Sequence, residues 1–358
     1  MDLLENRDTF FVPLMYILNG FISNFYGMNN ETKIIFILNP LSGDGAAIRK
    51  WNEIEAELQR LKFNYQLVSH KGDLKDISFE TISQGLDKNA IIAGIGGDGT
   101  HCAIINGMMK FLEKNPGAPI PPYSPVPLGT ANNIAKSFNM ETGNLSGTAL
   151  TRLLKGIIYG ANFKMDVGKI GGHYFIDDFS AGFDPHVLAG RDRDKNFIST
   201  SPILRLFLKG YMVYLANVFK SLTSFKPANA EIQADGHPVF SGEIFNIVVN
   251  NTRIYAGEFD FTDSALPNDG LMDMLIFTGK CDYLARYLVG NRLMHRKIRR
   301  TAHKNKKSLQ HLKAKSFKMK FHHPLIYQTD GEVIGNSDSM EIIVIPSALT
   351  FKIPVDPV

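Results

Sequence analysis

The run IIAGIGGDGT, residues 91–100, decides how this chain is read. An apolar stretch with one internal glycine leads into Gly96-Gly97-Asp98-Gly99-Thr100, and His101-Cys102-Ala103-Ile104-Ile105 follows. This is the pattern of a buried strand, a glycine loop and the first turn of a helix. Glycine lets the backbone pass close to a ligand where a Cβ would clash. Free N–H groups at a helix start favour an anion, most often phosphate. Asp98 adds a carboxylate, a hard oxygen donor suited to the Mg²⁺ that travels with a nucleotide. The competing reading is a strand-to-helix turn with no ligand.

The neighbouring sequence repeats the pattern. Lys33–Leu38 is a compact apolar strand, residues 39–45 form a turn-rich loop, and Ala46–Leu61 is a helix. Residues 65–68 read as a strand, 73–86 as a helix and 90–93 as the start of the next strand. Strands alternating with helices predict a parallel sheet covered on both faces. Ligands then sit beyond the C-terminal strand ends, where loops 39–45 and 96–99 fall. Residues 126–128 form a short strand before Gly129-Thr130, and 131–138 a short helix. There is no GxxxxGK[ST] loop, and GIGGDG departs from GxGxxG because its third glycine comes one place early.

After a helical stretch near 145–157 the pattern changes. Residues 162–170, 173–179, 230–234, 244–250, 271–277, 316–321 and 341–345 read as strands. Gly171-Gly172, Asp235-Gly236 and Asp330-Gly331 are hairpin-type turns. The expected product is a β-rich second domain of two packed sheets. Ser201-Pro202 opens a long apolar helix running to about residue 222, with cap and N1 chemistry. The expected organisation is an amphipathic N-terminal helix in 1–30, an α/β domain over 31–160, and a β domain over 161–345 with a basic insertion at 282–315. Residues 346–358 are free to pack back on the α/β domain.

A length of 358 residues suits two domains. Two cysteines exclude a disulfide framework and a cysteine metal cluster. Lys280 to Lys320 holds 14 Lys/Arg against one acid, Asp282, so the rest of the chain is net acidic and the basic segment is a local device. Near an anionic leaflet each such side chain is worth about 1 kcal/mol. Nucleic acid is the competing ligand, but no nucleic-acid module is recognisable. At the other end, Leu14, Ile17, Leu18, Phe21, Ile22 and Phe25 recur at helical spacing. That helix docks on protein, a second copy of the chain included, or lies in a lipid interface. The start lacks the basic n-region of a secretory signal, and the expected location is cytoplasmic with peripheral membrane association.

Three groups together carry a resemblance: Asn39-Pro40 with Ser42-Gly43, Gly96-Gly97-Asp98-Gly99-Thr100, and Pro127-Leu128-Gly129-Thr130-Ala131-Asn132. They resemble the nucleotide loops of the diacylglycerol kinase catalytic-domain family, which includes sphingosine kinases and bacterial YegS-like lipid kinases. The resemblance implies a Rossmann-like, phosphofructokinase-like α/β domain, a β-sandwich domain and a nucleotide cleft between them. It implies ATP and Mg²⁺, held by Asn39, Pro40, Ser42, Gly43, Gly96, Gly97, Asp98, Gly99, Thr100, Gly129, Thr130 and Asn132. The stretch from Tyr255 to Asp273 is similar to one that holds a structural Mg²⁺ in bacterial members. Carried over, Asp269 supplies a carboxylate and Leu266 and Leu271 supply carbonyls; the plain reading is an Asn-Asp-Gly turn. Gln328-Thr329-Asp330-Gly331-Glu332 resembles the family's DGE motif, which implies Asp330 as general base with Glu332 beside it. By spacing alone Asp-Gly is a turn. The implied reaction moves a γ-phosphoryl group to the hydroxyl of a diacylglycerol-like or sphingoid-like membrane lipid.

Three positions depart from the family pattern. Ala103 stands where many members carry glutamate, Asn133 where an acid is usual, and Asp177 where asparagine is common. Ala103 and Asn133 keep open a nucleotide- or lipid-sensing protein with weakened catalysis, and the GGDGT loop, which NAD kinases share, keeps open a small-molecule kinase of that kind.

Overall fold

The computed structural model describes residues 32–40, 45–69, 72–85, 87, 89–129, 131–143, 145–190, 218, 220–255, 259–260, 262, 265–284 and 310–353. The expected N-terminal helix, most of the expected 202–222 helix, the middle of the basic insertion, Ser42, Gly43 and Thr130 lie outside these residues.

The first domain alternates β1 (Lys33–Leu38), α1 (Ala46–Leu61), β2 (Asn64–Ser69), α2 (Leu74–Ser83), β3 (Ile91–Gly96), α3 (Asp98–Lys114), β4 (Tyr123–Pro127), α4 (Asn133–Ser137) and α5 (Gly147–Tyr159). The strands lie parallel in the order β2-β1-β3-β4. After Lys33, β1 and β3 carry no polar side chain because both faces are covered, which is why neither alternates. Trp51, Ile54 and Leu58 of α1 join Leu153, Leu154 and Ile157 of α5 over one face. Ile104, Ile105 and Met108 of α3 cover the other.

The second domain consists of β5 (Ala161–Ile170), β6 (His173–Phe175), β7 (Asp178–Gly182), β8 (Ala228–Ala234), β9 (His237–Ile244), β10 (Asn246–Asn250), the short β11 (Ile254–Tyr255) and β12 (Phe259–Asp260), β13 (Met272–Phe277), β14 (Gln310–Ala314), β15 (Ser316–Thr329) and β16 (Glu332–Ile353). β15 and β16 are far longer than the sequence pattern predicts, because bulges carry them past residues that break the alternation. Residues 317–321 of β15 pair with β8, whereas residues 327–329 pair with β7. A register shift between Lys320 and Leu325, at His322-His323-Pro324, lets one strand serve both layers. Strands that change sheets at a bulge are how such sandwiches turn their corners.

β16 then returns to the first domain. It pairs with β5, shifts register between Ile345 and Leu349, and sets Phe351 against Tyr123 of β4. One sheet therefore runs through both domains, and one apolar cluster holds Ile104 and Met108 together with Val167, Tyr174 and Phe351. Phe351 is fully buried and packs edge-on against Tyr123. Phe351→Ala should cost about 3–5 kcal/mol, measured by chemical denaturation, with both domains losing stability together.

Candidate active site

The three glycine-rich turns meet because they end adjacent parallel strands. Asn39, just beyond β1, donates its side-chain amide to Thr100 Oγ1 at 3.2 Å. Its backbone N–H reaches Ile95 O at 3.4 Å, and Leu128 N–H reaches Gly96 O at 2.7 Å. A Cβ on Gly129 would lie 2.4 Å from the Gly97 Cα, so the two loops touch backbone to backbone. Asn132, at φ 51°, closes its turn through Gly129, accepting from N–H at 3.0 Å and donating to the carbonyl at 2.8 Å. Pro40 follows Asn39 in a turn.

No side chain caps α3 at its start, where Gly97 is the N-cap. Asp98 turns to the neighbouring helix instead. The backbone N–H groups of Asn133, Ile134 and Asn132 face its carboxylate, yet burial outweighs them and raises its pKa. Its Oδ1 is buried without a hydrogen-bond partner.

The second domain brings the Asp330-Gly331 hairpin to this place. Asp330 (φ 48°) and Gly331 (φ 82°) form a two-residue turn between β15 and β16, matching the mirror-image turns that suit twisted hairpins. The turn reading holds, and the Asp330 side chain points inward and is buried. Its Oδ1 accepts from the backbone N–H groups of Asp177 (2.8 Å) and Asp178 (3.1 Å), and Oδ2 from that of Ile176 (3.1 Å). The Cys102 thiol of α3, which donates to Tyr174 O at 3.9 Å, lowers the Asp330 pKa a little further. Burial pushes its pKa up to about 6, against the pull of those donors. Glu332, two residues on, is exposed. Its Oε1 lies 2.7 Å from where a Cβ on Gly99 would be. The DGE hairpin thus faces the GGDGT loop.

A buried polar network missed in the sequence supports the hairpin. Gly331 N–H donates to Gln328 Oε1 at 2.7 Å, and Gln328 Nε2 donates to Asp178 Oδ1 and to Ser180 Oγ (3.0 Å). Tyr255 OH bonds Ser180 Oγ at 3.3 Å and Asp184 Oδ2 at 2.7 Å; Tyr283 OH donates to Asp184 Oδ1. The available signal was HYFIDDFSAGF, residues 173–183, two consecutive acids inside an apolar run. Burial raises the pKa of Asp177 and Asp178, and the acids beside them raise it further. Asp177 Oδ2, like Asp98 Oδ1, is buried without a hydrogen-bond partner.

At the expected structural Mg²⁺ position the Asp269 carboxylate is otherwise engaged. Asp269 Oδ1 accepts from Leu271 N–H at 3.0 Å, and Asp269 Oδ2 lies 3.3 Å from Lys313 Nζ. Leu266 is 43% exposed. Among the described residues no three His, Cys, Asp or Glu side chains form a metal cage.

These features define a class: a two-domain α/β plus β-sandwich-like protein with glycine-rich loops opposite a carboxylate hairpin. Residues 33–170 match the family model of the diacylglycerol kinase catalytic domain, and residues 188–352 that of the YegS C-terminal NAD kinase beta sandwich-like domain. The chain belongs to this lipid-kinase family. A probable lipid kinase YegS from Escherichia fergusonii is 26% identical over 325 residues, covering 90% of this chain and 96% of its own. A diacylglycerol kinase from Bacillus subtilis is 25% identical over 244 residues, 67% of this chain and 72% of its own. The crystal structure of a diacylglycerol kinase from Bacillus anthracis shares the fold, with a TM-score of 0.63 at 19% identity, covering 90% of this chain and 97% of that one.

Two outcomes follow. Gly129→Ala must push the Gly97 backbone away, which should cost about 1–3 kcal/mol of stability and weaken nucleotide binding about tenfold or more, read by denaturation and calorimetric titration. The raised acids set a pH slope. Between the ordinary carboxylate range and their own raised values, the folded chain keeps protons that the unfolded chain has lost. Stability is therefore greatest below that range and declines as pH rises through about 6, the value for Asp330. Unfolding free energies measured across this window should decline less steeply in Asp177→Asn.

Proposed function

We propose that the protein is an ATP- and Mg²⁺-dependent lipid kinase that transfers the γ-phosphoryl group to the hydroxyl of a membrane lipid, diacylglycerol-like or sphingoid-like. The observation that carries this reading is the approach of Glu332 to Gly99. It sets an acid of the second domain beside the phosphate loop of the first. Family membership supports kinase activity in general.

The nucleotide is assigned to Asn39, Pro40, Ser42, Gly43, Gly96, Gly97, Asp98, Gly99, Thr100, Gly129, Thr130 and Asn132. The uncapped start of α3 offers N–H groups and a favourable dipole to the phosphates. Asp98 and Asp177 fit Mg²⁺, because each holds a buried carboxylate oxygen without a hydrogen-bond partner. One or two carboxylates plus phosphate oxygens are the usual protein share of such a site. When bound, Mg²⁺ would neutralise phosphate charge.

The two DGE acids divide the work. An ionised carboxylate accepts about four hydrogen bonds. Three backbone N–H groups occupy three of those of Asp330, which leaves its Oδ2 one position for a substrate hydroxyl. Asp330 is therefore proposed as the general base, with Glu332 beside it facing Gly99. As the acceptor oxygen bonds to phosphorus, its proton goes to the Asp330 carboxylate and ADP leaves. Such proton removal contributes about 10²–10⁴-fold, with alignment supplying much of the rest.

Among the described residues no helix is long and apolar enough to cross a membrane. The proposed route to the lipid is the basic segment 280–320, docked on an anionic bilayer surface from the cytoplasmic side. Flotation with anionic vesicles should carry the protein upward, and neutral vesicles should not.

The decisive test supplies labelled ATP with mixed micelles of diacylglycerol or sphingosine. Wild type should label one lipid class and leave NAD unlabelled. Asp330→Asn should lower turnover about 10²–10⁴-fold and abolish the acid limb of the pH profile, with the fold unchanged. If folded Asp330→Asn matches wild type while Glu332→Gln is inactive, the base is Glu332 instead.

A further inference from the structure

Three acids lie in or beside the loop at residues 267–270, and among the described residues no group of three His, Cys, Asp or Glu forms a metal cage. Asp166 is fully buried, and its carboxylate takes two backbone N–H groups, Gly270 at 2.7 Å and Ser347 at 2.7 Å. Asp166 N–H in turn reaches Pro267 O at 2.7 Å. Asp269 is held by its own turn and by Lys313. Asp273, buried at the start of β13, faces the same ammonium, 3.3 Å from Oδ2, and His311 Nε2 at 2.6 Å from Oδ1. Burial raises the Asp166 pKa, and the charge of Asp269 raises it further, so the cluster calls for positive charge.

That charge comes from the chain itself. His311 and Lys313 stand two apart on β14, on one face of the strand. β14 is the edge strand with which the chain leaves the basic insertion, and it pairs Asp273 directly with Lys313. We propose that the Lys313 ammonium replaces the divalent cation at this place, clasping the 267–270 loop to the sheet and leaving the second domain independent of metal there. A divalent ion on Asp269 Oδ2 would share that oxygen with an ammonium, and the two positive charges would repel. The geometry also gives the return of the insertion a purpose: its last residues deliver the internal cation.

The test uses the full chain without nucleotide. Melting is measured after EDTA treatment and then with rising Mg²⁺, and bound Mn²⁺ is counted by electron paramagnetic resonance. Wild type should melt at the same temperature with and without Mg²⁺, and Asp269→Asn should bind as many Mn²⁺ ions as wild type. Lys313→Met should melt lower and gain a saturable upward shift with Mg²⁺ that is absent in Lys313→Met/Asp269→Asn. Lys313→Arg, which keeps the charge, should stay metal-insensitive. The proposal is overturned by a Mg²⁺-dependent shift in wild type that Asp269→Asn removes, or by a Lys313→Met protein that melts like wild type. None of these readouts needs catalysis, so the lipid-kinase reading stands or falls separately.

Discussion

The arrangement depends on one buried carboxylate that, among the described residues, has no basic side chain bonded to it. Asp330 holds three successive backbone N–H groups, from Ile176 to Asp178, and presses on Cys102 of the other domain. Donors of this kind stabilise a charge without supplying one. They also fix position. The turn that carries Asp330 can sit only where three amides converge, and so Glu332 is delivered to Gly99. Losing the side chain would leave three buried N–H groups unmet, each worth about 1–3 kcal/mol.

On the facing side, small size does the same work. Gly97 and Gly129 meet backbone to backbone, and Gly99 leaves the space that Glu332 enters. Asp98 belongs to this construction as much as to any ligand, since its carboxylate faces the first N–H groups of α4 and thereby ties the β3 and β4 loops together. A residue that reads as a metal ligand is thus also a helix cap, and replacing it would disturb both. Kinetic loss in such a variant would not isolate either role.

What was legible followed from local periodicity. The β1–β4 alternation, the strand–loop–helix around GGDGT and the β-rich second half are all visible in stretches shorter than twenty residues. Asp330-Gly331 was legible as a turn, which the structure bears out, and as part of a motif that the turn carries to the GGDGT loop. Strand length was hidden, because Pro324, Gly335 and Pro346 interrupt patterns that bulges then carry through. The supporting network was hidden for another reason. Tyr283 and Asp184 are 99 positions apart, and no local rule pairs them. The same holds for Lys313 and Asp269, 44 positions apart.

The two acidic centres resolve the same electrostatic problem in opposite ways. Around Asp269 the chain brings its own ammonium, so the charge is settled on folding and nothing further is required. Around Asp98, Asp177, Asp178 and Asp330 no basic side chain stands among the causes that shift the last three, and Lys136 acts on Asp98 only weakly. Burial alone would favour protonated acids there. A site left short of positive charge, beside a helix start that attracts phosphate, is complementary to a ligand that brings cation and anion together. Magnesium nucleotide has that composition, and its entry would return the acids to their ionised forms. On the two proposals made above, the second domain would be rigid without metal while the cleft would depend on it.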